Sequence, residues 1–271
     1  MPDPQPISLA PPRPKFAFSV CTLVNDAAQY EAMLASFRRC GFQGEECEYL
    51  YADNRGENRF DAFAAISMFL ERAAGEFVIL CHQDVRLVGP GLPELLDRLE
   101  ALERKDPRWA VCGNAAGLAP GVLAVLTGDS SRTQRPVDNL DESFLVVKRA
   151  AGLRPSADLF GFHFYGADLC LVADFLGHTA YVVDFPLLHL SPGVRGLDFY
   201  RARARFIAKY RRALRGRMVT TTCTTLFLGR KASPRALVNI PILAKTLQAL
   251  GRLAPALSLR LFRARAPSRG L

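Results

Sequence analysis

An α/β fold is what this 271-residue sequence predicts. Two observations support it. Over the first 87 residues, short apolar runs alternate with segments of helical spacing, in the order β-α-β-α-β. Each run also ends abruptly in polar residues, as strands do where a parallel sheet delivers functional groups to its carboxyl edge. The stretch that organises the rest is Gly75 to Leu87, GEFVILCHQDVRL. Phe77 to Cys81 reads as a short strand at the centre of a parallel sheet, entered from a glycine and followed by His82-Gln83-Asp84. If that segment stays extended, His82 and Asp84 point to one side with Cα atoms about 6–7 Å apart, close enough to converge on a small cation. The competing reading is that His82 caps the strand and Asp84 caps a turn.

The other elements follow in chain order. Lys15 to Val24 is the first strand, with Asn25-Asp26 after it. Ala27 to Arg39 places Tyr30, Met33, Leu34 and Phe37 at helical spacing and stops at Cys40-Gly41. Glu48 to Ala52 is a second strand ending in Asp53-Asn54. Asn58 is placed to cap the next helix, with Asp61 near its positive end and Phe60, Phe63, Met68 and Leu70 on its apolar face. Pro93 sits at a helix start, ahead of a stripe of Leu95, Leu96, Leu99 and Leu102. Trp109 to Gly113 is a strand and NAAGLAPG a small-residue loop. Thr127 to Asn139 lacks periodicity and reads as a long loop. Leu140 to Arg149 is a strand opening near Asp141 and Glu142, which either only begin it or touch a ligand. A helix from about Ala167 stops at Gly177, where His178 reads as a C-terminal cap. Ala180 to Asp184 is a last strand, followed by PLLHLSPG.

Composition narrows the function classes. Apolar residues make up 49% of the chain and mean hydropathy is +0.07, as in a globular protein. No apolar run reaches the ~18 residues of a membrane span. The start, MPDPQPISLAPPRPK, has no apolar core and is expected to be a disordered tail over residues 1–14 rather than a secretory signal. Seven cysteines without a C-x-x-C pair suit reduced core thiols of a cytoplasmic protein. There is no P-loop, and no G-x-G-x-x-G follows a strand, so a bound phosphate would need a metal or basic side chains. The net charge of +9 is unevenly placed: residues 195–271 hold 18 Lys/Arg and one acid, Asp198, against 17 Lys/Arg and 25 Asp/Glu before them. A body over 15–196 and a basic helical extension over 197–271 follow.

The succession of motifs resembles glycosyltransferase family 2. It runs from VCTLVND, through ADN at Asp53, to GEN-helix-AAGEFVILCHQDV, then LDESFLVVKR and GFHFYGADLCLVADFLGHTAYVVD, spanning Phe16 to Gly193. The resemblance implies the GT-A fold, a mixed and mostly parallel sheet flanked by helices, and transfer of a sugar from a nucleotide-diphosphate donor to an acceptor hydroxyl with inversion, in cell-envelope, exopolysaccharide or glycoconjugate synthesis. It implies that Asp53 faces the base or ribose, with Thr22 and Asn25 lining that pocket. Asp84 stands at the position of the acid that holds metal and diphosphate, Asp168 at that of the general base, and His189 where some such enzymes place another metal ligand. The sequence departs from the family in having His82-Gln83-Asp84 for the aspartate pair and Ala167 before Asp168. A mixed nitrogen and oxygen set with His82 suits Mn²⁺ better than Mg²⁺. Phe162, Phe164 and Tyr165 offer aromatic faces to a sugar, and His163 is structural or lines the acceptor. A Q-x-x-R-W motif, which processive synthases carry, is absent. The alternative is a non-catalytic GT-A-fold module that binds nucleotide or carbohydrate.

The basic end has its own reading. Phe199 to Arg217 is amphipathic, with Phe199, Phe206, Ile207, Tyr210 and Leu214 on one side, and Leu237 to Phe262 repeats that character more weakly. Such helices suit the anionic inner face of a membrane, making the protein peripheral there and bringing it to a lipid-linked or glycan acceptor. Packing on the body with a solvated basic face is the plain alternative. Nucleic acid is disfavoured, since charge alone points to it and no binding motif accompanies it.

Overall fold

The computed structural model describes residues 14–119, 122–125, 134–191, 193, 196–220, 225–229 and 233–254. The elements in order are β1 (Phe16–Val24), α1 (Ala27–Arg39), β2 (Cys47–Asp53), α2 (Ala62–Arg72), β3 (Gly75–Cys81), β4 (Val85–Arg86), α3 (Leu92–Lys105) and β5 (Trp109–Gly113). Next come β6 (Ala115–Ala119), β7 (Val122–Val125), β8 (Gln134–Pro136), β9 (Phe144–Lys148), α4 (Tyr165–Phe175), β10 (Thr179–Val183) and β11 (Leu188–His189). The chain ends with α5 (Leu197–Ala213), β12 (Arg217–Thr220), β13 (Thr225–Leu228) and α6 (Pro241–Leu253). It divides into two compact units, 1–206 and 207–271, so the dividing point lies inside α5 rather than at its start.

The main sheet has the order β2-β1-β3-β9-β5-β10-β8 and is mixed. Strands β2, β1, β3, β5 and β10 run one way, and β9 and β8 run against them. The predicted parallel surroundings of Phe77 to Cys81 therefore hold on one side only: β3 pairs parallel with β1 and antiparallel with β9. Alternation along the strands feeds two apolar layers. Phe18, Val20, Ile79, Phe144, Val146 and Val183 meet α1 and α3 in one continuous cluster. Val78, Leu80, Val111, Leu145 and Val147 are equally buried on the opposite face. Gly75 is obligatory, because a Cβ there would lie 2.5 Å from the Ser19 backbone nitrogen as β3 begins beside β1.

Helix starts follow local chemistry. Asp26 caps α1 by accepting from Gln29 N at 3.0 Å, and Glu94 reaches back to Gly91 N at 2.8 Å at the head of α3. The cap of α2 is Asp61, which accepts from Phe63 N and Ala64 N. Asn58 and Phe60 thus lie outside the helix, and Asn58 does not cap it. Two predicted loops contain strands. Within NAAGLAPG, Ala115–Ala119 pairs with Val122–Val125 as a hairpin, and Gln134–Pro136 joins the sheet edge beside β10. Neither segment alternates apolar and polar residues, so periodicity missed both. Residues 127–133 of the predicted long loop, and the predicted tail up to residue 13, lie outside the described residues. No helix among the described residues is long and apolar enough to cross a membrane.

Candidate functional site

β3 ends at Cys81, and the polar residues after it form a turn rather than continuing the strand. His82 N donates to Ser143 O at 3.0 Å on the neighbouring β9 side, and Val85 N closes back on His82 O at 3.2 Å. The turn, not strand alternation, sends His82 and Asp84 to one side. Gln83 goes the other way, where its Oε1 accepts from Asn25 N at 2.9 Å and Asp26 N at 3.0 Å and its amide meets Asn25 Oδ1. The ends of β1 and β3 are tied together by this one side chain.

The two-residue ribbon of β4 and β11 then delivers a residue from far along the chain. His189 pairs with Val85, and Leu190 N donates to Asp84 O at 3.2 Å. His189 Nε2 consequently stands 3.3 Å from both Asp84 Oδ1 and His82 Nδ1. His82 Nδ1 is 4.0 Å from Asp84 Oδ1, and one ligand atom from each of the three residues falls within a 4.8 Å group. Two imidazole nitrogens and a carboxylate oxygen are a donor set that suits a borderline divalent cation such as Mn²⁺.

The surroundings assign the tautomer of His82. Tyr165 donates its hydroxyl proton to Glu142 O at 3.0 Å, so the same hydroxyl accepts from His82 Nε2–H at 2.8 Å. The proton on Nε2 leaves Nδ1 with its lone pair toward Asp84 and His189, the arrangement a metal-ligating histidine needs. Burial, with the neighbouring His189 adding to it, lowers the His82 pKa and keeps the ring neutral. The donor set therefore fits a cation.

This cluster lies in a cavity of about 430 Å³ beyond the carboxyl ends of β1 and β3, floored by Leu80 and Cys81 and edged by Asn25, Phe162 and Ser191. A second cavity of about 390 Å³ is lined by Asn139, Asp141, Glu142, Phe164 and Phe199. His163 lines both. Burial raises the Glu142 pKa to about 8, with Asp141 adding to it, so this carboxyl is protonated at neutral pH. Desolvation lowers the His163 pKa, so that ring is neutral. Between them Phe164 takes a left-handed backbone (φ 72°), a strain of about 1 kcal/mol for a non-glycine residue, held by rings of Phe199 and Phe206 at 5.2 and 5.3 Å.

Of the residues singled out in the sequence, His82, Asp84, His189 and Asn25 meet at this cavity, and three do not. Thr22 is buried in the core, its hydroxyl 3.5 Å from Cys81 Sγ and 3.6 Å from Met33 Sδ, because its position on β1 points it between sheet and α1. Asp53 lines a separate hollow beside Tyr51 and Arg72 and makes a bidentate pair with Arg55 at 2.9 Å, whose hydrogen bonds hold its carboxyl well below the usual range. Asp168 is fully buried, with one oxygen accepting from Ser156 N and the other from Ser156 Oγ, both at 2.7 Å. Its side chain braces the segment before α4 and is not among the lining residues of either cavity. Of the three aromatics, Phe162 is exposed at the cavity edge, Phe164 packs on α5, and Tyr165 is buried. Gln83 is absent from the sequence-based site, and Tyr165 stands in it as a sugar-facing ring rather than as the partner of His82, because both roles depend on partners 58 and 83 residues away. His178 does cap α4, its N–H donating to Ala173 O at 2.9 Å.

No protein-family model matches the chain. A protein of Fuscovulum blasticum described as "ATP synthase subunits region ORF 6" is 42% identical over 225 residues, which cover 78% of this chain and 90% of that one. The chain belongs to the family of that ORF 6 protein. Among solved structures, the ORF 6 family member described here is similar to the mannosyltransferase PcManGT of Pyrobaculum calidifontis, in complex with GDP-Man and Mn²⁺, at 16% identity and a TM-score of 0.49, over 96% of this chain and 85% of that one. It is also similar to TarS of S. aureus at 14% identity and a TM-score of 0.47, over 92% and 76% of the two chains. Neither superposition is close enough to establish a shared fold.

Proposed function

We propose that this protein is a metal-dependent glycosyltransferase of the GT-A type, transferring a sugar from a nucleoside-diphosphate donor to an acceptor hydroxyl with inversion. The observation that carries this reading is the His82, Asp84 and His189 cluster at the carboxyl edge of β1 and β3. The order of the family 2 segments in the sequence supports it. A bound Mn²⁺ or Mg²⁺ supplies positive charge where the departing diphosphate gains negative charge. Asp84 and the two histidines would hold that cation, and Gln83 fixes the β1 loop beside it through Asn25. No glycine-rich loop or free arginine among the lining residues offers an alternative partner for phosphate.

The acceptor belongs in the adjoining cavity, where protonated Glu142 presents an O–H and Asp141 and Asn139 present acceptors and donors to a polar ligand. His163 stands where the two cavities meet and takes the proton that leaves the acceptor hydroxyl, a role open to it because its ring is neutral. Asp168 has its lone pairs engaged and acts through structure.

The test is a thermal-shift screen of the full chain against UDP, GDP, CDP and dTDP, each with and without Mn²⁺. A ligand at about a hundred times its Kd stabilises by ~2.7 kcal/mol. A shift for one nucleotide that needs metal and is lost in Asp84→Ala supports the reading, and a flat screen on folded protein sinks it. The second reading, a binding module without catalysis, is favoured by the engagement of Asp168. Metal-dependent nucleotide binding with no donor hydrolysis and no transfer to any glycan or lipid-linked acceptor would select it.

A further inference from the structure

We propose that α6 docks this protein onto an anionic lipid surface, lying in the plane of the interface. Four large apolar side chains of that helix are open to solvent: Ile242 is 69% exposed, Leu243 41%, Leu250 57% and Leu253 82%. At about 100° per residue they fall within an arc of roughly 100° on one side of the helix. Ala244, on the opposite side, is buried at 3% exposure and faces the protein. Leu237 and Ile240, exposed at 59% and 46%, extend the apolar character into the turn that leads to α6. A monomeric soluble protein seldom leaves so contiguous a stripe uncovered.

The stripe is presented on a built support. Asn239 accepts from Phe227 N at 2.6 Å and donates to Phe227 O at 2.8 Å, pinning the turn before α6 to β13. Pro241 begins the helix, where its missing N–H costs nothing. In the other amphipathic helix, Phe199 and Phe206 of α5 are packed on Phe164 and the Arg205 guanidinium lies 3.8 Å over the Phe160 ring, which leaves Leu197 and Tyr200 as the exposed large apolar side chains of its first turns. Phe199 and Phe206 of the predicted membrane-binding face are thus used internally, and α6 carries the larger set of exposed apolar side chains.

Charge chooses the occupant. Residues 207–271 carry 14 Lys/Arg and no Asp or Glu. A uniformly basic unit repels a second copy of itself, and a nucleic acid would satisfy the charge while leaving the leucines in water. A bilayer with anionic headgroups satisfies both, with the apolar arc in the acyl boundary and the cations at headgroup level. The helix has 13 residues, about 20 Å in length, so it lies on a membrane and does not span one. This inference is independent of the site chemistry, and either can fail without the other.

The experiment is flotation of the full chain with vesicles of phosphatidylcholine alone or of phosphatidylcholine with phosphatidylglycerol. Binding is expected for the anionic vesicles only. The double variant Ile242→Asp, Leu253→Asp is expected to lose about tenfold or more in binding with an unchanged unfolding midpoint, since both side chains are solvent-exposed. Should that variant unfold, Leu253→Trp decides: its indole emission shifts to the blue on anionic vesicles, against the one native tryptophan, Trp109, which is buried at 1% exposure. Absence of binding to anionic vesicles overturns the proposal. So does undiminished binding by the folded double variant, or a dimer that the variant dissociates with no change in vesicle binding. Tighter binding to duplex DNA than to anionic vesicles, unchanged in the variant, also overturns it.

Discussion

The turn after β3 and the first turn of α4 each present an aspartate that the sequence marks for chemistry, and the two finish in opposite environments. Asp84 is partly exposed in a cavity, beside two histidines whose ring nitrogens face it. Asp168 is fully buried, with both oxygens held by one serine. A carboxylate with free lone pairs at an open edge can bind a cation or a proton. A carboxylate whose oxygens are filled from within the chain contributes to stability, and its removal leaves buried donors without partners. Position along a motif is therefore a weaker guide than what the neighbouring chain does to the oxygens.

That contrast can be broken at either end. Asp168→Ala should cost about 3 kcal/mol of stability, because it orphans the half-buried Ser156 N–H and hydroxyl and removes a buried acceptor pair. Urea unfolding measures it, and a loss of transfer activity with stability intact would restore Asp168 to the chemistry. Asp84→Ala should do the reverse. Unfolding should move by no more than about 0.5 kcal/mol, and Mn²⁺ affinity should drop by about a hundredfold, as titration calorimetry would show.

Tyr165→Phe sharpens the comparison one bond further out. It removes the acceptor that keeps the His82 proton on Nε2, so Mn²⁺ affinity should fall about tenfold with all three ligands still present. An unchanged affinity would mean that the tautomer is set elsewhere.

A further effect concerns pH. Folding raises the Glu142 pKa from about 4.5 to about 8. Its stabilising contribution is full below pH 4.5, declines as pH rises, and is gone above about 8. Glu142→Gln keeps an acceptor for Gly166 N but cannot titrate, so its unfolding free energy should fall less between pH 5 and pH 8 than that of the native chain. Parallel pH profiles for the two would show that Glu142 is ionised in the folded state.

Much of the frame was legible in the chain itself. Phe77 to Cys81, Trp109 to Gly113 and Ala27 to Arg39 fall where apolar runs and helical spacing put them, because burial on a sheet or along one helix face imposes its period on local sequence. The strands β6, β7 and β8 were not legible, since small or polar residues at short edges carry no such period. Asp84 and His82 could be picked out together because they are two residues apart. Their meeting with His189 was decided by the β4 and β11 ribbon, and the state of His82 by Tyr165 and Glu142, all contacts between distant segments. Local sequence determined which residues form strands, helices and caps, because those interactions reach only a few positions. Which carboxylate stays open and which is filled was decided by tertiary packing alone, because lone pairs are satisfied by whichever distant donor the fold brings within 3 Å.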